Sequence, residues 1–157
     1  MSILVAVLLQ AAAPALTCPL DRPYDPTNPF ARILRHEAPA ATIVETRDMI
    51  AIVPIEWEYP GHALVIPRRA VRSLDDMTRT EMAHALQLAR RIGAAQRRAF
   101  GATGYTVTQN NGRAQHVCHV HFHVIPNTRA VKTKATPAEM QAVGDRLRAA
   151  LDQAGTP

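Results

Sequence analysis

Polar and apolar residues alternate through residues 117–125, which read Val-Cys-His-Val-His-Phe-His-Val-Ile. A period of two residues is typical of a β-strand, in which successive side chains point to opposite faces. The alternation places three histidines on one face: His119, His121 and His123. The other face is apolar and consists of Cys118, Val120, Phe122 and Val124. We therefore expect the apolar face to pack on a core and the imidazoles to line a cleft, with Pro126 ending the strand.

Four more strands are predicted ahead of this one. Short β-rich runs at 42–45 and Met49–Val53 surround the polar turn 46–48 and indicate a hairpin. A third apolar run, 62–66, is closed by a proline, and a fourth strand covers Tyr105–Gln109. The sequence thus predicts five strands, and the last of them carries the three histidines.

Helical periodicity and end signals predict two longer helices in the second half of the chain. Thr78 and Glu81 form a capping box at the start of the first, and Gly101 is a typical residue to end it. Its inward face is predicted to consist of Met82, Leu86, Ala89 and Gly93. A second capping signature at 136–139 opens the last helix, whose inward residues are Met140, Val143 and Leu147.

A short helix is predicted near the start of the domain. Asn28 or Thr27 can cap it, and Pro29 suits its first turn. Its inward residues are Phe30, Ile33 and Leu34. The order of strands and helices predicts an α+β fold, in which an antiparallel sheet carries helices on one side. The 157 residues fit one such domain, which we place at 18–157.

The first sixteen residues contain no charged side chain and end in small residues. This stretch is too short to span a membrane as a helix. Its length and its alanines fit a secretory signal peptide cleaved between residues 13 and 17, although a basic start is missing. The alternative is an apolar helix docked on the domain. We therefore set residues 1–17 apart and expect export to the periplasm, or otherwise a cytoplasmic location.

The formal net charge of +5 suits an anionic ligand. The arginines fall where the predicted helices and strands have solvated edges, and no basic run is interleaved with aromatic residues. This pattern argues against nucleic acid as the partner.

Two cysteines, Cys18 and Cys118, are separated by most of the chain. Their spacing does not match a metal-binding framework. A disulfide between them remains open in an oxidising compartment, but sequence alone cannot place their Cα atoms. We expect two separate free thiols.

Three imidazoles on one strand face suit two chemistries. Imidazole is a common ligand of zinc, copper and iron. It is also largely unprotonated at neutral pH and can attack phosphorus. Adjacent positions on one strand rarely converge on a tetrahedral metal site, and no carboxylate or thiolate cluster accompanies them here. We therefore favour nucleophilic chemistry with no cofactor and no metal, and a metal-binding histidine cluster is the alternative.

Residues 119–125 resemble the His-φ-His-φ-His-φ-φ signature of the histidine triad (HIT) superfamily, where φ is apolar. The segments 30–39, 60–67 and 110–112 are similar to the opening helix, the central strand and the phosphate loop of that family. The resemblance implies a HIT-like fold, a five-stranded antiparallel half barrel with a long central helix and a C-terminal helix. It also implies a homodimer in which two half barrels join, and a nucleotide hydrolase or transferase.

The resemblance also implies roles for individual residues. His121 would be the nucleophile at an α-phosphate, and His119 and His123 would orient it and hold phosphate oxygens. His62, in an apolar strand where a buried polar group needs a partner, would support the cluster. Substrate contacts would come from the phosphate loop and the first helix: Asn110, Gly112, Gln115, Phe30 and Ile33. The implied substrates are nucleotidyl phosphoramidates or dinucleoside polyphosphates, cleaved through a nucleotidyl-histidine intermediate.

Two departures from the family pattern bear on function. Pro54 stands where the family has an acidic residue that binds the ribose hydroxyls, and the loop before the triad is about two residues short. Pro54 has no side-chain acceptor, so we expect weak recognition of the ribose. These departures motivate a further alternative, a HIT-like binding module with little turnover.

Overall fold

The structure, a computed structural model, describes residues 18–55, 59–128 and 134–153. The strands in these ranges are β1 (Ala41–Glu45), β2 (Met49–Val53), β3 (Ala63–Pro67), β4 (Tyr105–Gln109) and β5 (Phe122–Pro126). The α-helices are α1 (Pro29–Leu34), α2 (Arg79–Phe100) and α3 (Pro137–Asp152). The apolar segment 1–17, with its predicted signal peptide, lies outside the described residues.

The five strands form one antiparallel sheet in the order β1-β2-β3-β5-β4. The hairpin predicted around residues 46–48 joins β1 and β2. After β3 the chain passes through α2 to β4, which lies at the edge of the sheet. β5 then lies between β3 and β4 and pairs with both. This arrangement confirms the predicted α+β class and puts the histidine strand inside the sheet, next to β3.

The main core lies between the sheet and the two long helices. Val120, Phe122 and Val124 belong to it, as the alternation predicted, together with Leu88 of α2 and Leu147 of α3. The opposite face of the sheet is covered only in part. There Phe30 of α1 packs with a smaller apolar cluster from β2 and β3: Ile50, Ile52, Leu64 and Ile66. The uncovered part of this second face is where His121 and His123 lie.

The ends of the helices follow the predicted capping. Asn28 accepts a hydrogen bond from the Ala31 backbone N–H at 3.0 Å, and Thr78 and Glu81 form the reciprocal box at the start of α2. Gly101 ends α2 with φ of 64°, a left-handed conformation that glycine adopts without steric cost. The capping box before α3 is also confirmed.

The predicted inward face of α2 is wrong at one position, because Leu86 is 53% exposed. The buried residues of α2 are Ala85, Leu88, Ala89, Ile92, Gly93, Ala95 and Gln96. The alanines and the glycine in this set let the helix approach the sheet closely. The buried face is therefore the one that packs best against the sheet, and not the one with the largest apolar side chains. A helix of 22 residues offers several overlapping stripes, and only the sheet decides among them.

The histidine strand is shorter than predicted. β5 begins at Phe122, and the preceding residues are not paired in the sheet. The His119 N–H bonds the Val117 carbonyl at 2.8 Å, and the Val120 N–H bonds the Val71 carbonyl at 2.9 Å. The chain therefore bends at His119 instead of extending from Val117, which sets the first histidine apart from the other two.

The expectation of free thiols is wrong, because Cys18 and Cys118 form a disulfide. Their Cα atoms are 5.2 Å apart, within the usual range for a disulfide. The pairing arises because the residues before α1 run back toward the loop after β4, where the Cys18 N–H bonds the Gly112 carbonyl at 3.4 Å.

Among the described helices, none has both the length and the apolar character needed to cross a membrane.

Candidate active site

A cavity of about 760 Å³ opens on the partly covered face of the sheet. It is bounded by α1, by the end of β2 and the start of β3, and by β4 and β5. Six of the nine predicted site residues line it: Phe30, Ile33, His62, Asn110, His121 and His123. The fold thus brings together side chains that are up to 93 positions apart in sequence, counted from Phe30 to His123.

His121 is held in one tautomer by the backbone. Its Nδ1 lies 2.8 Å from the carbonyl oxygen of His119, which can only accept, so Nδ1 donates and Nε2 keeps its lone pair. The side chain lines the cavity but is only 5% exposed. Burial lowers the pKa of His121 to about 4, with smaller contributions from His123 and His116, against the opposing hydrogen bond to His119. His121 is therefore a neutral imidazole with a free lone pair at neutral pH.

His119 occupies a different position from the one predicted. It is 0% exposed and is not among the residues that line the cavity. Its Nε2 lies 2.9 Å from the Pro67 carbonyl oxygen, and its Nδ1 lies 2.6 Å from the Tyr24 hydroxyl oxygen. Both ring nitrogens are therefore occupied, and the ring is not available to hold phosphate oxygens in this structure. His119 acts on the site through its backbone carbonyl, which orients His121.

His62 and His123 form a hydrogen-bonded pair. Nε2 of His62 lies 3.0 Å from Nδ1 of His123, so one of the two rings donates and the other accepts. Burial lowers the pKa of His123, and His116 lowers it further. The rings of His121 and His123 have centroids 5.0 Å apart. The two rings therefore share one proton in the hydrogen bond between them. In either tautomer His123 lines the cavity beside His121.

The loop after β4 contributes less than the sequence predicted. Asn110 lines the cavity, whereas Gly112 and Gln115 do not. The Gly112 carbonyl accepts from the backbone N–H groups of Cys18 and Gln115. The Gln115 side chain is fully buried, and its Nε2 donates to the Arg72 carbonyl at 2.8 Å. The structure therefore uses Gln115 to join this loop to the segment after β3 and does not bring it to the cavity.

The remaining wall of the cavity is largely apolar. The Phe30 ring meets the His121 ring edge to face, with centroids 5.0 Å apart, and Ile33 lies on the same side. The threonines of β4 and Tyr59 were not predicted as site residues. The wall also includes Pro54, Ile55, Tyr59, Leu64, Thr106, Thr108 and His116. Thr108 pairs with His123 across the β4–β5 register, a neighbour that only the strand order could reveal.

Tyr24 is the functional candidate that sequence analysis missed. It lies in an irregular proline-rich segment, where no motif or periodicity singles it out. Its hydroxyl nevertheless contacts the first histidine of the triad, 95 residues away in sequence. The backward path of residues 18–28, which begins at the disulfide, brings it there.

The described residues contain no group of three or more His, Cys, Asp or Glu side chains placed to hold a metal ion. The geometry gives the reason. His119 has both nitrogens engaged, His62 and His123 bond each other, and Nδ1 of His121 is committed to a carbonyl. The donor set present does not converge on a single point.

A family model described as the HIT domain matches residues 35–130. An uncharacterised HIT-like protein from Azospirillum brasilense is 39% identical over 114 residues, covering 70% of this chain and 93% of its own length. Adenosine 5'-monophosphoramidase hnt1 of Schizosaccharomyces pombe is 30% identical over 128 residues, covering 75% of this chain and 93% of its own length. The crystal structure of a Hit-like protein involved in cell-cycle regulation from Bartonella henselae superposes with a TM-score of 0.77 at 33% identity, covering 82% of this chain and 99% of that one.

Proposed function

The chain belongs to the HIT domain family, and on this premise we propose that it is a hydrolase or transferase of nucleotide substrates. The proposed substrates are nucleotidyl phosphoramidates or dinucleoside polyphosphates, attacked at the α-phosphate. One observation carries the proposal: the neutral His121 ring lines the cavity with Nδ1 bonded to the His119 carbonyl and the lone pair of Nε2 unused by that bond. A neutral imidazole with one fixed tautomer is a competent nucleophile.

The proposed reaction is a double displacement. Nε2 of His121 forms a bond to phosphorus while the bond from phosphorus to the leaving nitrogen or oxygen breaks in line, and the leaving group departs with a proton. The His119 carbonyl stabilises the positive charge that the nucleotidyl-imidazole acquires, because it accepts from Nδ1–H. Water then attacks phosphorus, releases the nucleotide and restores neutral His121.

His62 and His123 suit the proton transfer in this reaction. The pair is linked at 3.0 Å and shares one proton, so a change of tautomer delivers a proton at one end and takes one up at the other. His123 faces the cavity beside His121, where the leaving group would depart. We therefore assign proton donation to His123, with His62 as its support.

The apolar wall fits the nucleobase, and the S. pombe relative supports an amine leaving group. Phe30 and Ile33 present apolar surface on the α1 side of His121. That relative, by its name, acts on an adenosine monophosphoramidate. Pro54 lies in the same wall and offers no acceptor to the ribose hydroxyls. The proposal therefore includes substrates that lack one of those hydroxyls.

Replacing His121 tests the proposal. Wild-type protein incubated with an adenosine phosphoramidate, a dinucleoside polyphosphate or a 2'-deoxy analogue should release nucleotide. His121→Asn should lower kcat by at least ~100-fold, because the covalent nucleophile is gone. Chromatography of the released nucleotide gives the rate, and calorimetry with AMP shows whether the variant still binds.

The matched control is His84→Asn. His84 lies on α2, away from the cavity, and pairs with Asp48 at 2.7 Å. This variant should keep the wild-type rate. If the wild-type protein binds AMP but releases no nucleotide from any of the substrates, the binding-module alternative is favoured instead.

A further inference from the structure

The residues before α1 form a strap that contacts the first histidine of the triad. We define the strap as residues 18–28, a run with three prolines and no helix or strand. It begins at the disulfide with Cys118, the residue immediately before His119. It ends at Asn28, which caps α1. Nothing in the proposed chemistry requires this segment, yet it is fastened to the protein at several points.

A buried arginine holds the middle of the strap. Arg72 is only 5% exposed, and its guanidinium donates to the carbonyl oxygens of Pro19 and Pro23. A buried guanidinium is costly unless its donors are used, and these carbonyls accept from its two terminal nitrogens. At the start of the strap, the Cys18 N–H also bonds the Gly112 carbonyl at 3.4 Å. The strap therefore has one defined path over the protein.

This path delivers the Tyr24 hydroxyl to His119. The Tyr24 oxygen lies 2.6 Å from Nδ1, and the two rings meet edge to face with centroids 5.5 Å apart. Nε2 of His119 faces the Pro67 carbonyl oxygen, which can only accept, so Nε2 carries the proton. Nδ1 is then the acceptor and Tyr24 is the donor. The strap thus completes the hydrogen bonding of a fully buried imidazole.

His119 in turn sets the nucleophile, since its carbonyl fixes the tautomer of His121. We propose that Tyr24 is a positioning residue of the triad and that the disulfide-held strap keeps it on His119, so that turnover at His121 depends on a closed strap. This inference rests on the proposed function. Tyr24 does not line the cavity, and its hydroxyl lies 2.6 Å from Nδ1 of His119, so we assign its effect on the reaction to that contact.

Opening the strap requires a reductant. A dithiol transfers two electrons and two protons to the Cys18–Cys118 bond, leaving two thiols, and is itself oxidised to a disulfide. Cys118 is partly exposed and offers the route of attack. Release of the strap would remove Tyr24 from His119 and admit water to a ring that is otherwise buried. The proposed activity is therefore sensitive to reduction.

The ionisation of His119 reports on the strap separately from activity. Burial is the main reason that the pKa of His119 is lowered to about 4. The titratable groups that act on it directly are Tyr24 on the strap and His121 on its own segment. The charged group that holds the strap is Arg72. Opening the strap reduces the burial and should raise the pKa of His119.

The test compares Tyr24→Phe, the double variant Cys18→Ser with Cys118→Ser, and the control Tyr105→Phe. Tyr24→Phe keeps the disulfide and the ring, so it removes only the hydroxyl. It should lower kcat by ~3- to 10-fold, the usual effect of one lost hydrogen bond, and change KM by less than about twofold. The double variant, and wild type treated with a dithiol, should lose at least as much. Tyr105 packs against α2 and does not line the cavity, so Tyr105→Phe should keep the wild-type kcat and KM.

Nitrogen NMR of the histidine rings provides the second readout. We expect the Nδ1 resonance of His119 to shift in Tyr24→Phe and its titration to move to higher pH in the double variant, with His84 unchanged in both. Wild-type kcat in both variants together with an unchanged His119 resonance would overturn the inference. A rise in KM alone would also overturn it, since the strap would then act on binding. If wild type releases no nucleotide, the proposed function fails, while the NMR comparison still decides whether the strap controls His119.

Discussion

At the scale of single residues, burial keeps two imidazoles of the candidate site neutral. His119 and His121 are both buried, and burial is the largest cause of the pKa of each falling to about 4 from an ordinary 6.5. Each ring also has one nitrogen bonded to a backbone carbonyl, which fixes the tautomer. In the proposed reaction, burial and carbonyl bonding together would make His121 a nucleophile that needs no general base to deprotonate it.

The pH dependence of activity should follow from this. Protonation of His121 removes its lone pair, so kcat/KM should fall only as the pH drops through about 4, and it should stay level through 6.5. Activity is lost on the acid side and not the basic side, because the lowered pKa of His121 keeps its ring neutral down to a lower pH. Rates measured with a dinucleoside polyphosphate between about pH 3 and pH 8 provide the check. An acid limb centred near 6.5 would mean that the ring is hydrated in solution and that the cavity is more open than described.

At the scale of elements, close approach of α2 to the sheet positions β3 and β5. A Cβ at Gly93 would overlap the ring of Tyr105 on β4, so only glycine fits there. Gln96, one turn further along, donates from its side chain to the carbonyls of Gly61 and Val124 at 2.9 and 2.8 Å. The helix therefore fastens the residue before His62 and the residue after His123, which places the histidine pair.

Gly93→Ala tests this close approach. The added methyl group should push α2 from the sheet and lower the free energy of unfolding by ~1–3 kcal/mol, as overpacking usually does. Gly144→Ala is the matched control, since a Cβ there meets its nearest atoms at 3.7 Å, an ordinary contact. That variant should be neutral or more stable by up to ~1 kcal/mol, because alanine favours helix. Denaturant unfolding measures both, and equal stabilisation of the two variants would contradict the packing described.

At the scale of the whole molecule, the described residues include an exposed edge strand of the sheet and some exposed apolar side chains. β4 is the last strand of the sheet, and Val107 in its centre is 37% exposed. Leu86 of α2 is exposed on the helix surface. An open edge strand is a template for pairing with another chain. A homodimer, which the resemblance to the HIT family implies, would cover such an edge.

We therefore predict a mass in solution of about twice 17.2 kDa. Light scattering at micromolar concentration measures it. Val107→Lys should shift the population toward monomer, since charged residues on an edge strand oppose pairing. Thr103→Lys, in the loop before β4, is the control and should leave the mass unchanged. A single species of monomer mass for the wild type would count against the dimer.

The sequence determined the local features of this protein. Alternation located the apolar face of β5, and short-range signals located the helix caps and the turn after β1, because these depend on neighbours within a few residues. The triad itself was recognisable in the sequence for the same reason. Its three histidines lie within five consecutive residues, 119–123.

Features that depend on contacts distant in sequence became visible only in the folded protein. It paired Cys18 with Cys118, bent the chain at His119, and brought Tyr24 to the first histidine. It also drew Gln115 into the interior, where its amide joins two loops. Each of these outcomes depends on the path of an irregular segment over a finished sheet. Periodicity and propensity do not encode such a path, because it is selected by the packing and hydrogen bonding of the whole fold.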